Sequence, residues 1–233
     1  MDTEIVRAWV DGWVVSRGAA PPVEEPWGFT VDVGLPKQVT RHVLPHADEA
    51  LVRKIAERAT APGTWLKVCV APETIAPWLA PEWTFDDPGF LMSTTLRPSA
   101  TLRSSATLRQ SATLRPSATD LPAGYQLRLW SGGGVTRALI VAADGAFAAR
   151  GQVAGHPSAD CVVFDQIETA PAHRRRGLGR EVMHALTNAA IAEGARTGVL
   201  GATVDGQGLY KSLGWTAHAP LTGVFRTLPG AGG

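Results

Sequence analysis

The sequence predicts an α+β fold, a mixed α/β sandwich whose central sheet combines parallel and antiparallel strands and is flanked by helices. Three observations carry this. From residue 125 onward four short apolar runs are separated by glycine-rich turns, and a strand-helix-strand-helix-strand alternation follows to residue 227. Apolar residues make up 45% of the 233, and the mean hydropathy is +0.01, which suits a chain with a buried core. A cluster of arginines and glycines separates the fourth of those runs from the helix after it.

The chain divides into three regions, 1–94, 95–118 and 119–229. In the first, Trp27–Val33 reads as a strand. Asp48–Thr60 reads as a helix, with Leu51, Val52, Ile55, Ala56 and Ala59 on one side. Trp65–Val70 is a second strand, and Glu73–Leu79 a short helix that Pro77 interrupts. Phe85–Met92 contains the turn pair Pro88-Gly89 and then an apolar run. Six of the eight tryptophans lie here and are expected to be partly buried packing residues.

Residues 95–118 are four hexads, each beginning Thr-Leu-Arg and ending Ser-Ala. A period of six fits no helical face, and one leucine per repeat cannot build a core. The expectation is a mobile linker; an arginine-bearing loop near an anion is the alternative.

The third region carries most of the organisation. Tyr125–Trp130 and Thr136–Ala142 are strands joined through Ser131-Gly132-Gly133-Gly134, and Asp144-Gly145 turns the chain into Ala146–Val153. Cys161–Thr169 is a fourth strand. Leu178–Glu193 is a helix with Val182, Met183, Leu186, Ala190 and Ile191 on its apolar side, ended by Gly194. Val199–Thr203 is a strand, Gly208–Leu213 a short helix stopped by Gly214, and 215–219 with 221–227 a final pair of strands.

The bulk numbers exclude several classes. A net charge of +1, from 22 Lys+Arg against 21 Asp+Glu, gives no extended nucleic-acid footprint. Cys69 and Cys161 sit in apolar runs and form neither a disulfide framework nor a metal motif, so no metal is expected. No apolar run approaches the roughly 20 residues that span a bilayer, and the acidic start Met1-Asp2-Thr3-Glu4 lacks a signal-peptide core. A cytoplasmic protein, monomer or homodimer, without nucleic-acid or membrane partners is expected.

The chemistry concentrates in Pro171-Ala172-His173-Arg174-Arg175-Arg176-Gly177-Leu178-Gly179-Arg180. The first turn of a helix offers unpaired backbone N–H groups, and its dipole favours anions. Gly177 and Gly179 leave no side chain to block a phosphate. The arginines oppose the helix dipole, a cost that a bound polyanion reverses. The run is not a Gly-x-Gly-x-x-Gly fingerprint, and no Walker Lys-Ser/Thr accompanies it.

This stretch resembles the acyl-CoA signature of the GCN5-related N-acetyltransferase (GNAT) family, an Arg or Gln, two residues, Gly, one residue, then Gly or Ala. Arg174, Gly177 and Gly179 match it, with Pro171 upstream. Leu209-Tyr210-Lys211-Ser212-Leu213-Gly214-Trp215 is similar to the family's later tyrosine, Leu-Gly and aromatic element, and 125–227 follow its strand and helix order. The resemblance implies an N-acetyltransferase that moves an acetyl group from acetyl-CoA to a primary amine by direct attack, the acceptor being a small molecule, a peptide or a protein. Arg174, Arg175, Arg176, Gly177, Leu178, Gly179 and Arg180 would hold the pyrophosphate, and the backbone at Ile167 and Thr169 the pantetheine arm. Tyr210 would protonate the leaving thiolate. Asp165 and Glu168, on opposite faces by strict strand alternation, are the candidate bases, with Glu168 favoured. The alternative is a CoA-binding or interaction module with weak or no catalysis.

One departure stands out. The family places two helices between its first two strands, and here only 131–135 separate them. The first region, whose element order echoes the C-terminal half, is therefore expected to be a degenerate second copy, as in tandem members of the family. No Arg-x-x-Gly-x-Gly occurs before residue 95.

Overall fold

The computed structural model describes residues 2–98, 121–155 and 160–227. In chain order the elements are α1 (Thr3–Arg17), β1 (Val23–Glu25), β2 (Gly28–Leu35), β3 (Gln38–Leu44), α2 (Glu49–Arg58), β4 (Thr64–Val68), α3 (Pro72–Ile75), β5 (Trp83–Phe85) and β6 (Gly89–Thr95). They continue with β7 (Tyr125–Gly132), β8 (Val135–Ala142), β9 (Phe147–Ala154), β10 (Cys161–Thr169), α4 (Leu178–Ala192), β11 (Thr197–Thr203), α5 (Val204–Ser212), β12 (Thr216–Pro220) and β13 (Thr222–Arg226). The mixed α+β architecture matches the expectation. Two helix-strand features escape the periodicity reading. Helix α1 buries a broad face, Val6, Trp9, Val10, Gly12, Trp13, Val14 and Ser16, which leaves a narrow side on which Glu4, Arg7 and Asp11 alternate with Ala8 and Val15. Strand β3 carries Lys37, Gln38, Arg41 and His42 in or beside it, which hides its alternation.

The chain forms two compact units, one of Met1–Ser93 with Leu200–Gly233, the other of Thr94–Val199. In the first, a six-stranded sheet runs β1-β2-β3-β4-β13-β5. The β3–β4 pair is parallel over five register positions, Thr40↔Thr64 to Leu44↔Val68, and α2 is its crossover. Asp48 caps α2 by accepting from Leu51 N at 2.9 Å. Leu44, Val52, Ile55, Leu66, Val68, Ile75, Trp83 and Val224 make the core beneath it. Pro77 ends α3 in a 3-10 turn, Ala76–Trp78, whose Pro77 and Trp78 carbonyls accept from Arg53.

The last two strands do not pair with each other as the sequence suggests. β12 pairs with β6 (Ala217↔Met92), while β13 lies between β4 and β5 (Val224↔Leu66, Val224↔Phe85). Only Leu221 separates them, too little for a hairpin turn, so the chain runs on into a different sheet.

In the second unit the strands run β11-β10-β9-β8-β7. β7 and β8 form a hairpin over Gly133 (φ +61°) and Gly134 (φ +75°), the left-handed pair that a two-residue turn of this kind demands. No helix intervenes there, as the short spacing requires. α4 lies across β8, β9 and β10 with Leu178, Val182, Met183 and Leu186 buried. Its close approach depends on Gly151: a Cβ there would collide with Ile167 and stand 2.7 Å from Val182 Cγ1. Of the hexad tract only 95–98 belong to the described residues; Leu96 is buried, and its N–H donates to Arg196 O at 2.7 Å.

Candidate anion-binding loop and its supporting strand

β10 does not run straight into the loop. Its register with β9 shifts between Asp165, opposite Gln152, and Glu168, opposite Arg150. Three steps on β10 therefore match two on β9, and the extra residue is Gln166, held at φ +54°. Asp165 Oδ1 accepts from Gln166 N at 2.9 Å and steadies this unfavourable backbone. The bulge corrects the expectation of opposite faces. Arg150 and Gln152 are two apart and share a face, so their partners Asp165 and Glu168 share it too. Gly151, between them, faces Val182 and Leu186 of α4. Both carboxylates therefore lie on the sheet face away from α4.

The two acids differ in their neighbours. Glu168 Oε2 accepts from Arg150 Nε at 2.9 Å and Nη2 at 2.7 Å, and both side chains are about half exposed. Such a pair contributes at most about 1 kcal/mol, but it fixes where the Glu168 carboxylate sits. Ile167 packs over Gly151. Its side chain is thus committed to the α4 face, and its backbone is what it offers to a ligand.

Beyond β10, Ala170 N donates to Ala148 O at 2.9 Å, tying the start of the loop to β9. Pro171–His173 form a 3-10 turn, closed by His173 N to Ala170 O at 2.8 Å. Arg175 then adopts φ +62° and Gly177 φ +79°. Arg174 before them is extended (φ −64°, ψ 160°), so the chain turns sharply at two left-handed residues just ahead of the helix. Gly177 is the N-cap of α4 and no side chain caps the helix, so the first-turn N–H groups of Leu178 and Gly179 are left to a ligand or water.

Charge agrees with geometry. Arg174, Arg175, Arg176 and Arg180 are exposed around the positive end of α4. The one first-turn acid, Glu181, is buried and lies 3.6 Å from His184. Four guanidiniums at this end oppose the helix dipole and are compensated when a polyanion binds.

Two of the arginines are tied back. Arg174 Nε donates to Thr169 O at 3.4 Å, and Arg176 Nη1 donates to the Tyr125 hydroxyl at 2.8 Å. That hydroxyl also lies 2.9 Å from His173 Nδ1, with the two rings T-shaped at 5.6 Å between centroids. Sequence reasoning passed over Tyr125 as a strand residue, because nothing local ties it to residues some 50 positions later.

The structure thus gathers Asp165, Ile167, Glu168, Thr169 and Arg174–Arg180 on one strand, loop and helix start. Tyr210 belongs to the other unit, on α5. It is buried, 6.0 Å from the Trp215 ring, with Gly206 leaving room beside it. Thr203 caps α5 by accepting from Gly206 N, and Gly214 (φ +83°) follows its end, the helix stop the sequence implies. Burial pushes the thiols of Cys69 and Cys161 up to about 11, which makes them unreactive near neutral pH. Among the described residues no helix is long and apolar enough to cross a membrane.

Residues 106–215 match the family model described as acetyltransferase (GNAT) family. No curated protein matches the chain. Among solved structures, the chain is similar to a GCN5-related N-acetyltransferase from Kribbella flavida, with 19% identity, 99% of this chain and 96% of that one covered, and a TM-score of 0.61. It is also similar to a GCN5-related N-acetyltransferase-like protein from Streptococcus suis, with 13% identity, 96% and 97% covered and a TM-score of 0.55. A tandem GNAT protein from the clavulanic acid biosynthesis pathway matches at 15% identity over 75% of this chain and 67% of that one, with a TM-score of 0.50. At these identities the structures speak for the fold.

Proposed function

Because the chain carries a domain of the GNAT acetyltransferase family over residues 106–215, and is thereby an acyl-CoA-dependent N-acyltransferase, we propose that it transfers an acetyl group from acetyl-CoA to a primary amine. The observation that carries this reading is the uncapped start of α4, where Arg175 and Gly177 are left-handed and four arginines surround the first-turn N–H groups. That is a receptor for a pyrophosphate. Arg174–Arg180 hold it, and the backbone at Ile167 and Thr169 holds the pantetheine arm.

In the proposed reaction the amine nitrogen bonds to the acyl carbon, the carbon–sulfur bond breaks, and the departing thiolate takes up a proton. Tyr210 is the proposed proton donor to sulfur. Glu168, oriented by Arg150, is the proposed acceptor of the amine's proton, and Asp165 on the same face is its alternate. Residues 1–94 are read as a degenerate second copy that shapes acceptor choice, joined through 95–118 to the domain of 119–229.

The test is calorimetry with acetyl-CoA, followed by a CoA-release screen against small amines and peptides. Arg174→Glu is expected to abolish measurable acetyl-CoA binding, and unchanged affinity would remove the loop assignment. Tyr210→Phe is expected to lower turnover about a hundredfold with little change in affinity; full activity strips Tyr210 of its acid role. Binding without CoA release by any amine would return the protein to a CoA-binding module.

A further inference from the structure

The hydroxyl of Tyr125 touches the loop at two points. Arg176 has no acceptor, so the 2.8 Å contact from its Nη1 makes the Tyr125 oxygen the acceptor. The same oxygen stands 2.9 Å from His173 Nδ1, a hydrogen bond in which either atom can donate according to the imidazole tautomer. Tyr125 begins β7, the edge strand of its unit, and its rigid ring reaches from there to both sides of the turn that Arg174 and Arg175 make. The T-shaped stacking of Tyr125 on His173 adds a second, apolar restraint.

We propose that Tyr125 is a positioning residue for the pyrophosphate loop. It holds His173 and Arg176, while Thr169 O holds Arg174, so that the left-handed Arg175 is presented to the phosphates with its guanidinium unengaged. Arg175 has no hydrogen-bond partner among the described residues, in contrast to its two neighbours. Of the three consecutive arginines, the outer two are also tied to the protein and the middle one is left wholly to the ligand. A left-handed arginine is strained backbone, and it persists only where the surroundings over-determine it. The Tyr125 contacts supply that constraint before any ligand arrives. This inference rests on the acyl-CoA reading of the loop.

The experiment is calorimetry with CoA on the full chain, comparing wild type, Tyr125→Phe, Arg176→Ala and the double variant, with the melting temperature of each measured without CoA. Tyr125→Phe keeps the ring and loses only the hydroxyl. CoA affinity is expected to fall about tenfold in Tyr125→Phe, as for loss of a charge-assisted hydrogen bond. It should fall in Arg176→Ala as well, and the loss in the double variant should be smaller than the sum of the two, because the two changes share the Tyr125–Arg176 hydrogen bond. Unchanged affinity in Tyr125→Phe, or losses that add in the double variant, would overturn the proposal. Arg176→Ala against wild type keeps the first outcome readable should the phenylalanine variant unfold. If wild type itself binds no CoA, the acyl-CoA reading fails, a result distinct from wild-type binding that Tyr125→Phe leaves intact.

Discussion

Helices α2 and α4 do the same topological job with opposite electrostatics. Each is the crossover between two parallel strands, β3 to β4 and β10 to β11. α2 begins at Asp48, whose carboxylate accepts from Leu51 N, and Glu49 follows in the first turn. Its N-terminus is already saturated with negative charge. α4 begins at a bare Gly177 behind three arginines. The strands differ in step. β3 and β4 stay in register for five pairs up to the end of both strands, whereas β10 and β11 register three, Cys161↔Thr197 to Val163↔Val199, and β10 continues through the Gln166 bulge to Thr169. A helix start is an anion site only where the protein withholds its own anion. Here one copy of the motif withholds it and the other does not.

The largest test of this contrast is steric. α2 rests on full-sized residues, Leu44, Leu66 and Val68, while α4 closes over Gly151, where a Cβ would meet Ile167, Val182 and Leu186. Gly151→Leu should destabilise the protein by about 3 kcal/mol through overpacking, and should displace the helix whose first turn forms the loop. Denaturant unfolding measures the first effect and CoA calorimetry the second. A variant of wild-type stability would mean that α4 does not owe its position to the missing side chain.

The next test gives α4 the charge that α2 has. Gly177→Asp places a carboxylate at the helix start in a left-handed conformation that aspartate tolerates better than most residues. CoA affinity should fall by a factor of about 30–100, from like-charge repulsion with the phosphates and the lost close approach. Raising the salt concentration should recover part of the loss, because the repulsion is screened. A variant that binds CoA normally would show that the phosphates contact the arginines without approaching the helix start.

How much of this contrast is legible in the sequence depends on range. The candidate loop is picked out directly, because Arg174, Gly177 and Gly179 are local and their spacing matches a family signature. The helix spans of α2 and α4 read directly too, from apolar periodicity. What alternation could not show is the Gln166 bulge, a single inserted step that moves Asp165 and Glu168 onto one face; the residue involved is an ordinary glutamine, without the glycine that often betrays a bulge. Tyr125 was invisible for another reason: its partners are 48 and 51 residues away. The destination of β13, between β4 and β5, required pairing across most of the chain. Local chemistry shows in a sequence, while register shifts and long-range partners appear once the sheet is built.

The smallest effect isolates α2 from ligand binding altogether. If Asp48 is only a structural cap, Asp48→Ala removes one hydrogen bond to Leu51 N and a favourable charge at the helix start, costing about 1 kcal/mol of stability. CoA affinity should be unchanged if the proposed anion site belongs to α4 alone. The replacement also frees an N-terminus that now resembles that of α4 in lacking a side-chain cap. Yet it gains no phosphate site, because Pro45-His46-Ala47 bring neither arginine nor glycine to it. A second equivalent of CoA binding to Asp48→Ala would break the comparison, for it would show that the cap alone had been holding a competent site closed. One equivalent, with the midpoint lowered, shows that α2 lacks the loop as well as the vacancy.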